Sequence, residues 1–278
     1  MAESRTVVAV DWSGRASGAQ RFIWRAAVRD GVVSLESGLD RAATIRAVIA
    51  ERDRSDRFTV GFDFSFAFAA WFTRSLGCET VGELWALATA VGEEWIERCR
   101  PPFWGRPGTR RPSGFPLLRR TEDPACYHHH ARPFSTFQIG GAGAVGTGSI
   151  RGMPHLAELE RQGLGIWPFA PHGRCGVIEI YPRLFTGPVV KSDLAARTIA
   201  LERFDWSNLE VPARARAAAT GSPDAFDALI SAVRLWARRD EIASLEPSTD
   251  AQTRLEGWVF GATPRTETSV PRARFPPP

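Results

Sequence analysis

Three short apolar runs stand out along the chain: residues 6–11 (TVVAVD), 58–65 (FTVGFDFS) and 176–181 (GVIEIY). Their length and near-continuous hydrophobicity predict strands buried on both faces. Between the first two, residues 21–28 and 32–37 are strand-like, and Asp30-Gly31 between them predicts a hairpin. Residues 39–52 predict a helix. Residues 69–98 are helical by pattern, with Trp71, Leu76, Leu84, Leu87, Val91 and Trp95 as apolar positions, and 150–162 are helical despite Pro154. The clearest helix is 222–240, where Phe226, Leu229, Ile230, Val233, Trp236 and Ala237 recur at three and four. Residues 256–261 add a short strand. The expected fold is α/β: one domain over 1–262, a mixed sheet with flanking helices, a helical and loop insertion at about 69–169 over the sheet edge, and a loosely ordered Pro-rich tail at 263–278.

Acids break this pattern where packing alone does not call for them. Asp11 closes the first apolar run at the carboxyl end of its strand, the edge where ligands of open α/β sheets collect. Asp63 interrupts GFDFSF on the strand face of Gly61 and Ser65, and a buried acid is costly unless paired or metal-bound. Glu179 interrupts GVIEIY and, ionised, would want a cation; Glu256 is a weaker candidate of the same sort. In SPDAFD, Ser222 is the expected N-cap, with Pro223 at the first helical position. Asp224 in that first turn serves equally as a helix-dipole acid or a ligand, whereas Asp227 borders the apolar face and should point to the sheet. Several carboxylates converging on one point are what two-metal hydrolysis of phosphodiesters needs, and hard ions such as Mg²⁺ or Mn²⁺ prefer oxygen ligands. Asp11, Asp63 and Asp227 are therefore the candidate catalytic ligands, with Asp224 and Glu179 assisting.

Residues 98–120 carry seven arginines, five prolines and no acid, interleaved with Phe103, Trp104 and Phe115. Such a segment can contact phosphates and bases, which makes Arg110, Arg111 and Arg120 candidate substrate contacts; a solvated loop in an Arg-biased chain is the plainer alternative. The bias is strong: Lys191 is the only lysine, so 34 of the 35 cations are arginine, and the net charge of +4 carries little weight. Gly141, Gly143 and Gly146 match a dinucleotide fingerprint, with strand-like residues 135–139 before them. No acid ends a second strand near 162–166, so these glycines are expected to pack closely or cradle a phosphate. His128, His129 and His130 are read as a polar loop. The four cysteines show no pairing or zinc spacing, no apolar run spans a bilayer, and no signal peptide is written at the start, so a cytoplasmic location is expected.

With these residues in place, the chain resembles an uncharacterised bacterial and archaeal family of predicted nucleases with an RNase H-like fold. The resemblance rests on VVAVDWSG at 7–14, VGFDFSF at 60–66, FQIGGAGAVGTGSIRGMPHL at 137–156, VIEIYPRLF at 177–185, PDAFDALISA at 223–232 and EGWVFG at 256–261. It implies a strand, hairpin, helix, strand opening, with Asp11 on the first strand and Asp63 on the fourth. The pair Asp224 and Asp227 is similar to the acids that close the metal site of RuvC-type junction resolvases. The expected activity is Mg²⁺- or Mn²⁺-dependent hydrolysis of nucleic acid. Two rivals stand beside it: a nucleotide-binding phosphotransferase or ATPase of the same superfold, since Asp11-Trp12-Ser13-Gly14 is similar to the phosphate loops of actins and sugar kinases and makes Ser13 a substrate contact, and a non-catalytic nucleic-acid-binding protein.

Overall fold

A computed structural model describes residues 3–123, 126, 131, 133–141 and 143–263. His128, His129, His130 and the tail from 264 onward lie outside the described residues. The first apolar run forms β1 (Arg5–Asp11), and the Asp30-Gly31 turn joins β2 (Trp24–Arg29) to β3 (Val32–Ser37). Asp40 then caps α1 (Arg41–Arg52) by accepting from the Ala43 amide at 2.7 Å, and the chain returns through β4 (Arg57–Phe62). Later come β5 (Gly165–Ile166) and β6 (Cys175–Glu179), giving one six-stranded sheet in the order β3-β2-β1-β4-β6-β5. β2 alone runs against its neighbours; β1, β4, β6 and β5 are mutually parallel.

The pleat sends alternate residues to opposite faces, and helices cover both. One face presents Val8, Val10, Val60, Phe62 and Val177 to α1, α3 (Val81–Arg98) and α4 (Gly146–Arg161). The other presents Val7, Ala9, Ala26, Ile178 and Ile180 to α8 (Pro223–Ala237), backed by α6 (Leu194–Glu202) and α7 (Ala213–Gly221). Residues 69–169, expected as a helical and loop insertion over the sheet edge, supply α3 and α4 to the core. Short helices α2 (Ala70–Ser75), α5 (Arg183–Thr186), α9 (Arg239–Ala243) and α10 (Thr253–Glu256) complete the chain. Among the described residues no helix is long and apolar enough to cross a membrane.

Several boundaries differ from the sequence expectation for local reasons. The helix expected over 69–98 is two, because Gly77 at φ 77° ends α2 and Thr80 opens α3 with a reciprocal capping box to Glu83. The strand-like run 135–139 makes a single bridge, Gln138 to Trp104, and α4 begins within the glycine run at Gly146. Over 256–261 there is the end of α10 and one bridge, Val259 to Glu179.

A buried guanidinium ties the insertion to the sheet. Arg119, only 2% exposed, donates from Nε to Glu122, from both terminal nitrogens to Glu179, and also to the Glu256 carbonyl and the Ser65 hydroxyl, so all five of its N–H groups are used. Burial alone would lower its pKa, but Glu179 and Glu122 more than reverse that and hold it above the ordinary arginine value. Replacing Arg119 with Met should therefore strand two buried carboxylates and cost about 3–5 kcal/mol of stability. Arg110→Ala, at an exposed position, should stay within about 0.5 kcal/mol. Urea unfolding of both variants checks this; a loss below about 1 kcal/mol for Arg119→Met would show that the hub does not hold the insertion down.

Candidate metal centre

Register decides where each predicted ligand points. Val10, Phe62 and Glu179 align across β1, β4 and β6, and in parallel strands aligned residues share a face. Asp11 and Asp63, one residue further on, therefore turn to the opposite face, toward α8. The Asp63 amide donates to the Val10 carbonyl at 3.1 Å, carrying the ladder one step past the end of β4. α8 can lie close here because position 61 is glycine: a Cβ would sit 2.7 Å from Ile180 and 2.9 Å from Leu235. Ser222 caps α8 by accepting from the Ala225 amide at 3.2 Å, and Pro223 takes the first turn. This aims Asp227 inward, at 2% exposure, while Asp224 stays half-buried at the rim.

The loop after Asp11 is clamped. Arg41 donates to the carbonyls of Ser13 and Arg15, and Arg151 donates to that of Gly14. A Cβ at Gly14 would lie 2.5 Å from the Gly148 nitrogen, so the loop rests on the first turn of α4 at Gly148, whereas Gly146 packs elsewhere, where a Cβ would sit 2.2 Å from the Thr136 carbonyl oxygen. Ser13 is buried in the turn, its hydroxyl facing the Arg15 amide at 3.4 Å.

Electrostatics separate the acids into two kinds. Burial raises the Asp11 pKa well above its usual value, and Asp63, Asp227 and Asp224 raise it further. Asp63 is pushed up to about 7 by burial and by Asp227, Glu179 and Asp224, against the opposing pull of Lys191. Asp227 and Asp224 are raised as well, burial first, with Lys191 again opposing. Among the described residues nothing donates to the carboxylate of Asp11 or Asp63, and Oδ1 of Asp227 is buried without a partner. Glu179 is different. It turns to the other face, where Arg119 and the Phe66 amide hold it, so the cation it was expected to need is a guanidinium and it is not placed as a metal ligand. Glu256 accepts from the amides of Ala70 and Arg120 and is structural too.

Compared with family models, curated proteins and solved structures, the chain matches none. The site is therefore judged on its own chemistry. An all-oxygen set with an orphaned buried oxygen fits a hard divalent ion. Yet among the described residues no three of His, Cys, Asp and Glu stand as a ready-made metal cluster. The cation present is Lys191, whose Nζ contacts Oδ2 of Asp227. Its pKa, which burial alone would lower, is held above the usual lysine value by Asp227 and Asp11. In the sequence this residue stands out only as the single lysine beside 34 arginines.

Beside Asp63 a cleft of about 150 Å³ opens between Trp12, Arg119, Phe134, Gly148 and Tyr181. Arg110 and Arg111 do not line it; both are exposed, with Arg111 over the Trp104 ring at 5.6 Å. Arg120 pairs with Asp250 at 2.7 Å.

A raised carboxyl pKa makes the folded state the better proton binder. The stability Asp63 contributes is complete below its ordinary pKa of 3.8 and is lost as pH rises through about 7. Metal-free protein should melt higher at about pH 5.5 than at about pH 8, and Asp63→Asn should flatten that difference. Scanning calorimetry with chelator present checks it; an Asp63→Asn profile as steep as wild type would overturn the assignment.

Proposed function

We propose that the chain is a divalent-cation-dependent nuclease of RNase H-like fold, cutting phosphodiester bonds at the edge formed by Asp11, Asp63 and Asp227. The carrying observation is that Asp11 and Asp63, from the ends of two adjacent strands and without a hydrogen-bond donor among the described residues, share one side of the sheet with the buried Asp227 of the facing helix, whose Oδ2 is held by Lys191. The strand order, with β2 alone reversed, supports the fold reading. A bound Mg²⁺ or Mn²⁺ would lower the pKa of a water and offset charge on the phosphate. Asp11 and Asp63 would hold that ion, and Asp227, closing the site from α8, would hold its neighbouring cation or water in place. The water oxygen bonds to phosphorus, the bond to the leaving alcohol oxygen breaks, and the proton ends on that alcohol.

Purified protein with labelled single strands, duplexes, RNA and four-way junctions should cleave at least one of them when Mg²⁺ or Mn²⁺ is added. Asp11→Asn and Asp63→Asn should lose on the order of 10²-fold or more in rate while remaining folded, as loss of charge stabilisation at the reacting phosphate requires. No cleavage and no thermal stabilisation by either ion would overturn the proposal. Stabilisation by ATP in place of nucleic-acid cleavage would move the reading to the phosphotransferase class.

If exposed arginines of the insertion meet the phosphate backbone, Arg110→Ala with Arg111→Ala should weaken nucleic-acid binding and reduce the salt slope by about 1–2. Binding titrations at several salt concentrations check this, and an unchanged slope would return both residues to solubility.

A further inference from the structure

The chain places its only lysine against the one acid that α8 buries most deeply in the carboxylate group. That placement is built. Lys191 lies in the loop between α5 and α6, and two arginines fix the loop by its carbonyls: Arg183 donates to Val189 at 2.6 Å, and the buried Arg197 donates to Lys191 itself. Arg197 also donates to the Thr220 carbonyl at 2.9 Å, at the end of α7 just before α8 begins. The backbone of Lys191 is thereby pinned beside the helix that carries Asp227. Its side chain, 48% exposed, reaches in from the solvent side and takes Oδ2 of Asp227. Oδ1 remains buried and without a partner, while Asp11 and Asp63 receive no donor among the described residues.

We propose that Lys191 is the built-in second cation of this site, so that the chain binds one divalent ion, on Asp11 and Asp63, where a two-metal enzyme would bind two. The inference rests on the nuclease reading and refines it. A compact ammonium is the suitable group, since it is a point charge on a flexible stem, whereas a guanidinium presents a planar fork that matches a carboxylate edge-on and fills more space. Two carboxylates are enough for the ion, because Mg²⁺ commonly binds through one or two of them and keeps several waters. One of those waters can meet the orphaned Oδ1 of Asp227, which explains why no three acids converge. Arg15 offsets part of the burial-driven rise in the pKa of Asp224 and Arg183 part of that of Asp227, but the side chain that hydrogen-bonds Asp227 is that of Lys191.

The test is a count of ions. Titration of the full chain with MnCl₂, followed by calorimetry and by the free-Mn²⁺ resonance signal, should give one bound ion per chain. Lys191→Met should bind two, and Asp63→Asn should bind none at the wild-type affinity. Because the chain has a single lysine, reductive methylation with ¹³C-formaldehyde also gives one side-chain signal besides the amino terminus. That signal should move in Asp227→Asn and persist, still in contact with Asp227, when Mg²⁺ binds. Two ions on the wild type, or an unchanged single ion on Lys191→Met, would overturn the inference while leaving the nuclease reading intact. Absence of any bound ion together with absence of cleavage would overturn both. Should Lys191→Met fail to fold, the wild-type count and the methyl signal decide alone.

Discussion

A guanidinium at the floor of the cleft, with every donor used, sets the terms for its surroundings. Arg119 brings together the exit of β4 through Ser65, the end of β6 through Glu179, the insertion through Glu122, and α10 through the Glu256 carbonyl. Taking one arginine and two glutamates out of water is costly, and only near-complete hydrogen bonding repays it. Glu122 is further bound by the Thr136 hydroxyl at 2.5 Å, and Glu256 by two backbone amides. The hub therefore fixes in space four segments far apart in sequence, at the ends of β4 and β6 and on the sheet face opposite Asp11 and Asp63.

The pleat does the rest. Glu179 and Asp63 end neighbouring strands, yet they differ by one residue in register and so fall on opposite faces. On the side of α3 and α4 the acid met an arginine and became architecture. On the side of α8 the acids met one another. A one-residue slip of β4 would exchange these fates, which makes the close approach at Gly61 a constraint on chemistry as much as on packing.

This explains what the sequence could convey. The central strands, the hairpin, the capped start of α8 and the inward aim of Asp227 follow from periodicity and capping, which act over a few residues. Asp11 and Asp63 were legible because an acid ending an apolar run is visible locally. Glu179 looked the same in sequence, but its partner lies 60 residues away, and no local pattern records that pairing. Arg119 and Arg120 read as part of a basic surface segment, although one is the most buried cation of the hub and the other is paired with Asp250. Helices α6 and α7 left little trace because their buried positions are few: Arg197 and Leu201 in one, Ala215 and Ala219 in the other. Lys191 was visible only as a count.

The two groups of buried acids allow a comparison within a single molecule. Both are desolvated, both include an acid at the carboxyl end of a parallel strand, and both had the same arginine-rich chain from which to draw partners. One group is neutralised so completely that its arginine has no donor left to give. The other keeps two carboxylates without donors and a third with one oxygen unpaired, and their mutual repulsion adds to the cost of burial. Chain topology does not forbid a second arginine there, since Arg15 and Arg183 act on the same acids from nearby. A fold that can satisfy buried acids and leaves one set short of donors raises their pKa values instead, and such local violations concentrate where a ligand supplies the missing partner. The missing partner is positive, compact and oxygen-seeking, and that is the physical content of the proposal that this edge of the sheet binds a divalent ion.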